Sequence, residues 1–74
     1  NKDILKDKAE LKEELNDKQG AMDDYTELLL ISDDPLYYSK RGKLRSKFGD
    51  IAGALSDFDK AVELNPKYEK KFKS

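Results

Sequence analysis

The sequence predicts an all-α chain made of two stacked copies of one helix-turn-helix unit. Three observations carry this reading. Displaced by 33 positions the chain matches itself, with Leu11 meeting Leu44, Asp17 meeting Asp50, Gly20 meeting Gly53, Ala21 meeting Ala54 and Asp24 meeting Asp57. Conservative matches fill the gaps: Ala9 with Gly42, Leu15 with Phe48, Met22 with Leu55, Tyr25 with Phe58 and Ile31 with Leu64. Apolar residues recur at helical spacing, and no segment alternates with a period of two, so no strand is expected. Finally, the turn residues repeat, Asn16-Asp17 in the first unit and Gly49-Asp50 in the second. A period in this range marks stacked supersecondary units, none of which can bury its apolar face alone.

The first helix is expected from Lys2 to Leu15. Ile4, Leu11 and Leu15, with Leu5 and Ala9 alongside, form its apolar stripe, and the intervening lysines and glutamates are good helix formers. Asn16 and Gly49 both tolerate the left-handed backbone that closes a helix. Asp17 and Asp50 follow as N-caps, their carboxylates accepting from orphan amides of the next helix. The second helix carries Ala21, Met22, Tyr25, Leu28 and Leu29 and runs to about Ile31, where Ser32-Asp33-Asp34-Pro35 breaks it and Asp33 and Asp34 turn and cap the chain. The third spans about Leu36 to Phe48. The fourth carries Ile51, Ala54, Leu55, Phe58, Ala61, Val62 and Leu64 and ends at Asn65, because the residue before Pro66 is pushed out of helical geometry. A fifth opens over Lys67 to Lys73, with Tyr68 and Phe72 on one face.

Seventy-four residues make one domain at most, and a chain so short buries only about 60% of its unfolded surface. No cysteine is present, which excludes disulfides, thiolate metal sites and thiol nucleophiles; no histidine is present either, which excludes the imidazole base and the commonest metal ligand. Charged residues are 42% of the chain, but fifteen bases and sixteen acids nearly cancel, so no global field draws it toward nucleic acid or anionic lipid. There is no apolar run near the roughly 20 residues of a membrane span and no signal-peptide pattern. A soluble chain is the expectation, with the cytoplasm its expected compartment. It opens on Asn1 without a methionine and closes at Ser74 inside an expected helix, so a piece of something longer is expected as well.

The segment PLYYSKRGKLRSKFGDIAGALSDFDKAVELNP, from Pro35 to Pro66, closely resembles a tetratricopeptide repeat. That pattern asks for an early aromatic (Tyr38), a small residue one turn on (Gly42), glycine and aspartate at the turn (Gly49, Asp50), and then alanine, aromatic, alanine and proline (Ala54, Phe58, Ala61, Pro66). Lys2 to Asp34 resembles a diverged copy, with Ala9, Asn16, Asp17, Ala21 and Tyr25 in register, but Leu5 for the aromatic, Leu28 for an alanine and Asp33 for the proline. The resemblance implies one domain over residues 1–74: a right-handed α-α superhelix of repeat one (about 2–34), repeat two (about 35–66) and a capping or truncated helix (67–74). It implies that the first helix of each repeat lines a concave groove holding a peptide of a protein partner, with nothing catalytic and no cofactor. Leu28 must push its neighbours apart or be absorbed by repacking.

On the two groove helices, Asp7, Glu10 and Glu14 of the first repeat stand at the positions of Lys40, Lys43 and Lys47 in the second, each set a stripe at helical spacing. Facing stripes can neutralise one another at a solvated surface, each pair contributing roughly 0.2 to 1 kcal/mol. Alternatively they form a bipolar receptor for a peptide of mixed charge. Some family members clamp the C-terminal carboxylate of the seventy- and ninety-kilodalton chaperones, which end in EEVD. Lys6 sits where their first lysine belongs, but Glu10 and Lys40 replace two asparagines and Glu10 repels a carboxylate, so the clamp is not expected.

The helix YYSKRGKLRSKF carries Lys40, Arg41, Lys43, Arg45 and Lys47 without an acid. Nucleic acid is nevertheless not the expected partner, since Tyr38 is assigned to the core and the first repeat repels phosphate. The stems of Arg41 and Arg45 are expected over the second helix of their unit, with their heads on Asp24 or Asp57. Leu30, Tyr68 and Phe72 form an apolar edge that either is ordinary surface and end-capping or pairs with another copy or with further repeats now lost, giving a structural spacer or oligomerisation element as the second reading. The glycines follow no phosphate-loop spacing, and adjacent Asp23 and Asp24 diverge by about 100° on a helix, so no catalytic or metal site is expected. The candidate peptide groove is therefore Lys6, Asp7, Glu10, Glu14, Lys40, Lys43 and Lys47.

Overall fold

A computed structural model describes residues 2–69 of the chain. It is all-helical, and among the described residues there is no strand: α1 spans Lys2–Glu14, α2 Lys18–Ile31, α3 Pro35–Lys47 and α4 Ile51–Leu64, followed by a 3₁₀ turn over Pro66–Tyr68. Helices lie against their chain neighbours, α1 on α2, α2 on α3 and α3 on α4, with the 3₁₀ turn against α4. Of the expected fifth helix, the described part begins as that 3₁₀ turn, and Phe72 lies outside the described residues. No helix among them is long and apolar enough to cross a membrane.

The helix boundaries follow from the predicted local chemistry. Asp17 and Asp50 accept from the amides of Gly20 and Gly53 at 3.1 and 3.0 Å, each occupying the N-cap of the following helix. Asp34 caps α3 by accepting from the Leu36 amide at 2.9 Å, with Pro35 at the first helical position, where its missing N–H costs nothing. Asn16 and Gly49 hold positive φ, 65° and 86°, which reverses the chain after α1 and α3. Asn65 ends α4 and turns the chain by accepting from the Lys67 amide at 3.1 Å.

The core joins Ala9, Ala21, Tyr25 and Leu28 of the first unit to Tyr37 and Leu44 of the second, with Leu5, Met22, Leu29 and Leu36 packed around them. Leu28 is fully enclosed there. The ring centroids of Tyr25 and Tyr37 lie 6.3 Å apart and tilted, so this pair stitches α2 to α3. Gly42 is needed for close approach: a Cβ there would lie 2.7 Å from the Phe58 ring.

Two expectations are corrected. The stripe assigned to α1 divides into two faces: Leu5 and Ala9 turn inward, whereas Ile4, Leu11 and Leu15 are more than half exposed, because α2 covers only one side of α1. Tyr37, not Tyr38, is the core aromatic of α3, and Tyr38 is half-buried beneath the Arg41 guanidinium, 5.7 Å from the ring centroid. Of the two carboxylates expected to receive the arginine heads, Asp57 takes both, as the pairing of either with Asp24 or Asp57 allowed, and Asp24 pairs with Lys12.

Candidate functional site

Each unit encloses one carboxylate under its own cations. In the second, buried Asp57 accepts from Arg41 through Nε at 3.0 Å and Nη2 at 2.8 Å, a bidentate pair, and faces Arg45 Nη1 at 3.2 Å. Arg41 also donates to the Thr26 hydroxyl at 3.3 Å, tying α3 to α2. In the first unit Lys12, 33 positions before Arg45, meets Asp24 at 3.0 Å. The hydrogen bond to Asp57 raises the Arg41 pKa above its ordinary value, and the one to Asp24 does the same for Lys12. These charges are answered within the fold. A hollow of about 410 Å³ beside them is lined partly by Tyr38, Asp59, Lys60 and Glu63, of which Lys60 and Glu63 pair at 3.5 Å.

A second hollow is different. A cleft of about 280 Å³ opens where the end of α1 and the following turn meet α3. Helical spacing of three and four puts Lys40, Lys43 and Lys47 on one side of α3, and the nearly buried Leu44 of the same helix supplies its apolar wall. Glu13, Asn16 and Lys18 close the other side. The left-handed Asn16 reverses the chain, which brings the first residue of α2 beside the last turn of α1. Four amino groups thus gather around a single carboxylate, and among the described residues none of the four is in an ion pair. The Tyr25 phenol is buried in the core, and burial, reinforced by the negative charge of Glu13 and Glu10, pushes its pKa well above the ordinary value and keeps it neutral.

Of the predicted groove residues, the cleft gathers Lys40, Lys43 and Lys47; Lys6, Asp7, Glu10 and Glu14 do not line it, and no ion pair joins the acidic stripe to the lysines among the described residues. Glu13, Asn16 and Lys18 were missing from the predicted set. Asn16 and Lys18 flank the turn aspartate, and a turn beside a groove was the available signal for them. Glu13 carried none, since it shares its helix with two other glutamates. Leu30 is 85% exposed, and Tyr68 is half-buried.

No protein-family model, curated protein or solved structure matches the chain.

Proposed function

We propose that the chain is a protein-interaction module of the tetratricopeptide type, one domain of two repeats in a right-handed superhelix, which holds a peptide segment of a partner along the side formed by α1 and α3. The observation that carries this reading is the set of four unpaired amino groups, Lys18, Lys40, Lys43 and Lys47, around a cleft with one carboxylate and an apolar wall. Cations that form no ion pair among the described residues favour an anionic ligand. The expected ligand is an extended peptide with two or more carboxylates, a base of the same peptide being drawn to Glu13 or the acidic stripe of α1. The absence of pairing between the stripes favours this receptor over mutual neutralisation. No step of chemistry is assigned to the chain, and no cofactor.

The test is fluorescence anisotropy with labelled peptides of acidic, mixed and basic composition, on the chain and on Lys43→Glu. Acidic and mixed peptides are expected to bind and the basic one not to, and Lys43→Glu should weaken binding at least about tenfold, since it removes one attraction and adds a repulsion. Equal affinity for all three peptides, or an unchanged affinity in Lys43→Glu, would refute the reading.

A further inference from the structure

The two ends of the molecule carry the two halves of an interface that already exists in its middle. Where the units meet, Tyr37 and Leu44 of α3 are each only 3% exposed, covered by the first unit with Tyr25 in the core and Met22 packed against it. The residues 33 positions before Tyr37 and Leu44 are Ile4 and Leu11 of α1, and these are 55% and 54% exposed. The residues 33 positions after Met22 and Tyr25 are Leu55 and Phe58 of α4; Leu55 is 57% exposed, and Ile51, one turn before it, is 55% exposed. One end therefore presents the apolar pair that its counterpart buries internally, and the other presents the surface that buries it.

We infer that a second copy of this chain docks head to tail, the Ile4–Leu11 face of α1 in one molecule seating on the Ile51–Leu55 face of α4 in the next, in continuation of the internal contact between the units. Charge selects this polarity. α3, the groove helix nearest the α4 end, carries five bases and no acid, whereas α1 carries Asp7, Glu10 and Glu14 at the equivalent of its lysine stripe. Head-to-tail docking sets the acidic stripe of α1 beside the basic α3, as inside the chain, while a two-fold pairing of α4 ends would bring two basic helices together. Such a contact uses different surfaces on the two partners, so a dimer still carries one unused copy of each face, and association proceeds beyond the dimer. The inference does not depend on the peptide reading, because neither face includes a lysine of the cleft.

Sedimentation velocity of the chain between about 10 µM and about 1 mM, the range suited to a small weak interface, is the test. The weight-average mass should climb past that of a dimer. Leu11→Lys and Leu55→Lys, each at an exposed site and checked for helicity by circular dichroism, should each weaken self-association at least about tenfold. An equimolar mixture of the two should form dimers and stop there, because each variant retains the face the other needs. Ile4→Lys and Ile51→Lys serve as second variants for the same two faces if either of the first fails to fold. A wild-type chain that is monomeric throughout, a single variant that associates like wild type, or a mixture that stays monomeric would each overturn the inference.

Discussion

Replacing Asp57 by alanine probes the polar knot of the second unit. The carboxylate is 2% exposed and accepts two charged hydrogen bonds from Arg41, at 3.0 and 2.8 Å, with Arg45 at 3.2 Å. Removing one member of a fully buried ion pair costs about 3 to 5 kcal/mol when the other charge is stranded. Here it is only partly stranded, since the Arg41 side chain is 14% exposed and that of Arg45 30%, so both guanidinium heads can reach water. The expected loss is therefore about 2 to 3 kcal/mol, near the value of the charged hydrogen bonds themselves. For a chain of 74 residues, with a total stability of about 4 to 11 kcal/mol, that is a large fraction and corresponds to a fall in Tm of about 8 to 24 °C. Urea titration followed by far-ultraviolet circular dichroism measures it, at unchanged m-value. Asp24→Ala is the internal control and should cost less, because its Lys12 partner is 36% exposed and makes a single contact. A loss below about 1 kcal/mol for Asp57→Ala, or an equal or greater loss for Asp24→Ala, would show that enclosing the second carboxylate does not hold the unit together.

The turns and the buried phenol give two further tests. Asn16 sits at φ 65°, a conformation that costs most L-residues about 1 to 2 kcal/mol and glycine little, so Asn16→Gly should leave stability unchanged or raise it slightly, whereas Gly49→Ala, at φ 86°, should lower it by about 1 kcal/mol in urea titration. The Tyr25 phenol has its pKa raised by burial, so the folded chain keeps a proton that the unfolded chain releases as pH rises past about 10. Its contribution is thus fully present below pH 10 and lost above it, as is that of Lys12, whose pKa is also raised. Unfolding free energy measured from pH 8 to 11 should fall less steeply in Tyr25→Phe than in wild type, and an identical slope would contradict the burial of that hydroxyl in solution.

What the sequence by itself determined is whatever is settled within a few residues of chain. Asp17, Asp34 and Asp50 cap because a carboxylate two or three residues ahead of a free amide reaches it without help from the rest of the fold. Asn16 and Gly49 turn left-handed because the cost of that backbone is a property of the residue, and the 33-residue period carried the number and kind of helices with it. The lysine stripe of α3 was legible in the same way, as a spacing on one helix. Burial was not, because it depends on what lies opposite: Leu11 and Leu44 are the same residue at the same place in the repeat, yet one is 54% and the other 3% exposed, since among the described residues only α3 packs on the unit before its own. For the same reason only the tertiary structure decided between Tyr37 and Tyr38, paired Lys12 with Asp24, and brought Lys18 and Glu13 to the lysines of α3. Each is a meeting of side chains distant in sequence, and the packing angle of one helix on the next, which no local pattern encodes, selects which of them meet.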